Sequence, residues 1–344
     1  MSLRHLIPLL SLAAVASAED KLTWEKLPPI PEPLGMAAAY SGVTGDSLLV
    51  AGGANFPNKM PWEGGKKVWV DKVWLLPKPD GIWRDIGKLP HPSAYGVSVT
   101  TRDGIVCVGG SDADRLYADC FRLVWHNEML VTEPLPPLPM AVSGASGALI
   151  GDTIIVACGA SLPNEQAATS RTFALDLTAK LPAWRELPPL PGKPRLLATG
   201  AENDGTFYLF GGAALEPNAS GKIARVYLRD AWSFRPEQGW HQLADLPKTI
   251  AAAPAPAPFL DGKFLLIAGD DGSLAGFTPM KDHPGFPKTI LAYDPKLDRW
   301  SQPGEVSAPR ATLPCVKWRG MYILPSGEIR PGVRSPEVWG VKIP

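Results

Sequence analysis

Short apolar runs rich in β-branched and aromatic residues recur along this chain, each closing on a glycine-containing pair. They are SLLVAGG ending at Gly53, GIVCVGG at Gly110, TIIVACG at Gly159, TFYLFGG at Gly212, FLLIAGD at Asp270 and YILPSGE at Glu328. An interval of roughly 50–60 residues between such runs is a repeat signature. Aligned on their ends, the runs put the carboxylates of Asp270 and Glu328 where the others carry glycine. A charge that breaks its own repeat is a first suspect for function. Before each run stands a turn: Gly45-Asp46, Asp103-Gly104, Gly151-Asp152, Asp204-Gly205, Asp261-Gly262 and Arg319-Gly320. Such turns between β-rich segments predict tight hairpins.

A second period runs in step with the first. Trp24, Trp83, Trp184, Trp240 and Trp300 mostly lead into Trp-x-x-Leu/Ile-x-x-Leu/Ile-Pro, as in WRDIGKLP, WRELPPLP and WHQLADLP; the remaining repeat has Thr132 instead. Each unit then holds about four short antiparallel strands, with glycines after the second and tryptophan on the fourth. That pattern predicts an all-β fold, a six-bladed kelch-type β-propeller. The first such segment, LTWEKLPPIP from Leu22, reads as a fourth strand with no partner before it. The last, EVWGVKIP, reads as a third strand lacking its fourth. The ring is therefore expected to close by pairing the N-terminal strand into the C-terminal blade, Arg310–Pro344, which leaves no free sheet edge. The tryptophans are expected to pack between blades.

Composition narrows the partners. Of 344 residues, 34 are basic and 34 acidic, so the net charge gives no electrostatic case for nucleic acid or an anionic membrane. Arg4 and His5 precede the apolar run LIPLLSLAAVA, and Ala16-Ser17-Ala18 is a small-residue cleavage site. Residues 1–18 are expected to be a signal peptide and 19–344 a single exported propeller, periplasmic or secreted. That apolar run is too short for a permanent membrane anchor, and no later segment has the apolar length of one. The four cysteines, Cys107, Cys120, Cys158 and Cys315, have no zinc spacing. Three of them sit inside apolar runs, and buried free thiols are expected over bridges.

The loops after the second strands vary most and are expected to carry ligand groups at one end of the central tunnel. Three stretches there resemble the N-acetylneuraminate epimerases, or sialic acid mutarotases, which are secreted six-bladed kelch propellers. Gly-Glu-x-x-Pro-Gly-x-Arg is met by Gly327, Glu328, Pro331, Gly332 and Arg334. An Ala-Gly-Gly-Ala block followed by Glu-Gly-x-Lys-Lys is met by Ala51–Ala54 and by Glu63, Gly64, Lys66 and Lys67. Ala-Tyr-Gly-Val-Ser is met by Ala94–Ser98. The order of the blocks is reversed relative to the bacterial sialate enzymes, so the resemblance is to a cyclically permuted branch.

The resemblance implies a cofactor-independent mutarotase that interconverts the anomers of a sugar acid, N-acetylneuraminate first, by acid–base assisted ring opening and closure, with Glu328 and Arg334 as the catalytic pair. Glutamate suits proton exchange with an anomeric hydroxyl. Arginine suits a two-point grip on a substrate carboxylate or stabilisation of developing negative charge. Glu63, Lys66, Lys67 and Tyr95 are expected as substrate-binding or loop-ordering contacts. Asp270 joins them from the repeat alone, since it holds in blade five the place of Glu328 in blade six. No metal is expected. A copper sugar oxidase needs gathered histidine and tyrosine ligands, whereas His91, His126, His241 and His283 share no blade position. A kelch module that binds glycan or protein without catalysis is the other alternative.

Overall fold

In the computed structural model, residues 22–342 are described. They form six four-stranded antiparallel sheets, together with three two-stranded hairpins. In blade one the order is Tyr40–Thr44, Ser47–Ala51, Lys72–Leu76 and Arg84–Lys88, and four further blades repeat it in sequence order. Blade six is assembled from both ends of the chain. Val316–Trp318, Met321–Pro325 and Val338–Lys342 take Thr23–Leu27 as their fourth strand, in the register Thr23↔Lys342 to Leu27↔Val338. The predicted closure is observed. Residues 1–18, read as a leader, lie outside the described residues. Among the described residues no helix is long and apolar enough to cross a membrane.

The two sequence periods have separate physical causes. Trp83, Trp184, Trp240 and Trp300 each donate from Nε1 to a backbone carbonyl of the preceding blade, on Pro28, Pro136, Pro188 and Ala244, at 2.7–2.9 Å. Each acceptor lies four residues beyond that blade's own Trp, or beyond Thr132 in blade two. The tryptophan therefore fastens blade to blade while its ring fills the seam.

The glycine period does the same at the other end of the blade. Gly53, Gly110, Gly159, Gly212, Gly269 and Gly327 donate from their backbone N–H to Ser93, Val142, Arg195, Ile250, Arg310 and Met36 of the following blade, at 2.7–3.0 Å. All six have φ between 86° and 110°, a region that favours glycine. This register corrects the alignment by run ends. Gly269 and Gly327 are the true second glycines of blades five and six. Asp270 and Glu328 stand one residue later, at the position held elsewhere by Ala54, Ser111, Ala160 and Ala213, and each pairs in an isolated bridge with the lead-in of its own blade. The repeat therefore keeps its glycine, and the charge is added beside it.

A second sixfold feature encircles the tunnel. Ala38, Tyr95, Gly144, Leu197, Ala252 and Thr312 all have φ of 54–64°. Each donates its N–H to the carbonyl of the previous member, and Ala38 completes the circuit by donating to Thr312, at 2.6–2.9 Å. Left-handed backbone costs a non-glycine residue about 1–2 kcal/mol. Here the closed hydrogen-bond circuit holds five such residues in place.

All four cysteines are buried free thiols, as expected, and burial pushes those of Cys120 and Cys158 up to about 12.

Candidate active site

The backbone circuit is a floor. On one side lies a channel lined by small residues of the innermost strands, among them Gly96, Ser98, Ala145, Ser146 and Ala253. On the other lies a cavity of about 130 Å³ walled by the loops that follow the second strands. Tyr95, Gly144 and Leu197 of the circuit line both. Glu328 bridges to Ala311, and Asp270 to Ala251, each one residue before a member of the circuit. Both carboxylates are thus rooted at the floor's edge, at the position from which Ser111 lines the cavity.

Glu328 and Arg334 are directly opposed in a short hairpin, Glu328–Arg330 with Val333–Arg334, that turns at Pro331-Gly332. Arg334 Nη2 lies 2.6 Å from Glu328 Oε1, and the two side chains are only 2% and 16% exposed. Its Nε donates to the Ala54 carbonyl at 3.2 Å, and its guanidinium lies 4.7 Å from the centre of the Phe56 ring. Nη1 is buried with no partner among the described residues. The expected two-point grip on a substrate carboxylate is therefore not free: one edge of the guanidinium is already spent on Glu328 and blade one. Glu328 Oε2, by contrast, has no partner among the described residues.

The other expected residues divide. Lys67 Nζ donates to the Tyr95 hydroxyl at 2.9 Å and sits over the Trp69 and Tyr95 rings, 5.4 and 5.0 Å from their centres. Both residues line the cavity. Lys66 is exposed and does not line it, because alternate residues before the strand Val68–Trp69 face opposite ways. Glu63 is also exposed; its carboxylate accepts the Met60 N–H at 3.0 Å and orders the turn through Gly64. Asp270 accepts from the Tyr227 hydroxyl at 2.5 Å and from the Gly272 N–H at 2.9 Å. Burial first, and then the Asp270 carboxylate, push the Tyr227 phenol well above its ordinary range, so it is a firm hydrogen donor.

Sequence reasoning missed several groups. Arg225 grips Glu165 through Nε at 2.8 Å and Nη2 at 2.5 Å, tying the loop hairpin Ala213–Pro217/Ile223–Tyr227 of blade four to blade three. Asp112 lines the cavity and accepts from the Tyr117 hydroxyl and from the Asp114 and Arg115 N–H groups. The one available signal was the period-two spacing of Arg225 and Tyr227 after the turn formers Asn218–Gly221. Among the described residues no group of three or more His, Cys, Asp or Glu side chains is placed to hold a metal ion.

These features define a kelch-type propeller with a carboxylate–guanidinium pair and a polar cavity at one end of its ring. A family profile described as N-acetylneuraminate epimerase matches residues 11–132. The chain is 42% identical over 109 residues to the N-acetylneuraminate epimerase of Salmonella typhimurium, covering 27% of this chain and 28% of that protein. It is 26% identical over 226 residues to that of Haemophilus influenzae, covering 59% and 57%. The solved structure titled "Structure of YjhT" shares the fold, with a TM-score of 0.68 at 13% identity over 90% of this chain and 94% of that one. The N-terminal third of the chain is thus similar to the N-acetylneuraminate epimerases, and the propeller as a whole shares the fold of that solved structure. The chain spans only 28% to 57% of the length of these curated relatives. The profile match also ends well before the Glu328–Arg334 hairpin.

Proposed function

We propose that this chain is a cofactor-independent mutarotase of a sugar acid, with N-acetylneuraminate as the first substrate to test, and that Glu328 transfers the proton. The reading rests most on one observation: a poorly exposed carboxylate, rooted at the edge of the floor and fixed through one oxygen by Arg334. Glu328 Oε2 takes the proton of the anomeric hydroxyl. The bond from the anomeric carbon to the ring oxygen breaks as that oxygen takes a proton from a solvent water, giving the open keto form and leaving hydroxide. Rotation about the adjacent carbon–carbon bond presents the other carbonyl face. The chain hydroxyl then adds back, giving its proton to the hydroxide left by the opening step, and Glu328 returns its proton to the new anomeric oxygen. Protons and electrons balance, so no redox group or co-substrate is needed.

The leader-like residues 1–18 support export, which would place the enzyme among free sugars outside the cytoplasm. Exchange NMR on equilibrated N-acetylneuraminate anomers tests the activity without any net reaction. The parent protein is expected to accelerate exchange. Glu328→Gln keeps size and hydrogen bonding but removes the acceptor, and is expected to lower the rate roughly 100- to 10,000-fold. Equal rates for parent and variant would leave the hairpin as a structural ion pair and favour a glycan-binding role.

A further inference from the structure

The charges around the cavity are unequally committed. Glu165 is held by Arg225, and Asp112 already accepts three hydrogen bonds from its own loop. Arg334 and Glu328 lie outside the residues that line the cavity, and Arg334 is engaged by Glu328 and by the Ala54 carbonyl. Lys67 and Arg115 line the cavity and belong to no ion pair among the described residues, but Arg115 is an exposed rim residue lying over Tyr117. Lys67 is different. It is partly buried between two aromatic rings, and its single hydrogen bond goes to a neutral phenol.

That bond has a consequence for Tyr95. Its oxygen accepts from Lys67, so the phenol's own hydrogen is unspent, and no acceptor for it exists among the described residues. The ammonium keeps two further hydrogens. The two groups therefore offer adjacent donors, one charged and one neutral, to an anion of carboxylate size. Tyr95 cannot drift from this arrangement, because its backbone is a member of the hydrogen-bonded floor circuit.

On the sugar-acid isomerase reading, we propose that Lys67 and Tyr95 form the seat of the substrate carboxylate. Arg334 is then a positioning residue that acts through Glu328 and does not grip the substrate. The anion docks above the floor on the blade one–blade two side, and the anomeric centre is delivered toward Glu328.

The test compares N-acetylneuraminate with its methyl ester, which keeps the anomeric hydroxyl and loses the charge. Binding is followed by NMR titration and anomer exchange by exchange spectroscopy, for the parent, Lys67→Met, Tyr95→Phe and Arg334→Gln. Urea denaturation checks that each variant is folded. Loss of a charge-assisted hydrogen bond is worth roughly 10- to 100-fold in affinity. Lys67→Met is expected to weaken acid binding by about that factor while changing ester binding by less than roughly threefold. Tyr95→Phe should show the same selectivity with a smaller loss. Arg334→Gln should slow exchange of acid and ester by similar factors and leave the acid-to-ester affinity ratio intact, a pattern that simple misfolding does not give. Arg334→Gln erasing the preference for acid, with Lys67→Met preserving it, overturns the assignment. A parent that binds neither sugar overturns this seat and the isomerase reading together. A parent that binds the acid without speeding exchange sinks the isomerase reading alone, and the affinity ratios still decide the seat.

Discussion

Leu27→Ala puts the ring closure to the test. Leu27 sits on the N-terminal strand, opposite Val338, and is 6% exposed. It shares one core cluster with Ile30, Trp83, Trp318 and Val338, so its side chain spans the seam between blades six and one. Removing its isobutyl group deletes buried methylenes and leaves a cavity that strands on both sides cannot fill. Such truncations cost about 2–5 kcal/mol. Ile82→Ala, at a hairpin tip that is 83% exposed, is the matched control and should change stability by less than about 0.5 kcal/mol. Trp83→Phe probes the same seam through the lost Nε1 bond to Pro28, worth about 1 kcal/mol. Urea denaturation followed by tryptophan fluorescence reads all three, with unchanged slopes showing that the denatured state is comparable. If Leu27→Ala shifts the midpoint no more than Ile82→Ala, the N-terminal strand is an appendage and does not lock the ring.

Two further outcomes concern charge and backbone. Burial works to raise the Asp230 carboxyl, but the fully buried Arg195 guanidinium at 2.6 Å outweighs it and holds the group below the ordinary aspartate range. Its folded value is depressed, so its contribution to stability is present above the unfolded value and lost as pH falls through the folded one. Asp230→Asn should therefore flatten the acid limb of a stability–pH profile while lowering stability at neutral pH, and an unchanged acid limb would refute the coupling. Gly332 has φ +82°, and a Cβ there would lie 2.7 Å from Pro61 Cγ. Gly332→Ala should cost about 1–2 kcal/mol by urea denaturation and, on the proposed function, slow anomer exchange, because it lifts the Glu328–Arg334 hairpin off the blade one loop.

The blades were legible because each period serves a repeated bond. Tryptophan recurs where an indole N–H must reach the neighbouring blade, and glycine recurs where φ near 100° aims an N–H across the seam. The alignment slipped by one residue in blades five and six for a related reason. The first left-handed position of the pair is filled by Ala268 and Ser326, where three other blades carry glycine, so the run looked one residue too long. The floor circuit was not legible. Ala38, Tyr95, Leu197, Ala252 and Thr312 have no turn preference, and only tertiary hydrogen bonds hold them in the left-handed region. At the site, Glu328 and Arg334 were readable as a motif and Lys67 and Tyr95 as cavity groups. Arg225, Tyr227 and Glu165 were not, since their meeting depends on how separate loops fold over the floor.

The placement of the site at the closing seam follows from how the hairpin is held. Arg334 reaches back to Ala54, Gly332 abuts Pro61, and the Arg330 guanidinium lies 5.5 Å from the Trp62 ring centre. Every one of these contacts is with the blade one loop that carries Lys67. Glu328 and Lys67 stand 261 positions apart in the chain, yet their loops share one surface because blade six is completed by the N-terminal strand. Separation of blades six and one would pull the Glu328–Arg334 pair from its backbone anchor on Ala54 before it unfolded either sheet. Stability of the closure and geometry of the site are therefore one quantity at this seam. Seam substitutions such as Trp83→Phe would act on Glu328 and Arg334 through loop position, whereas the same loss between blades three and four, at Trp240, would leave that hairpin in place.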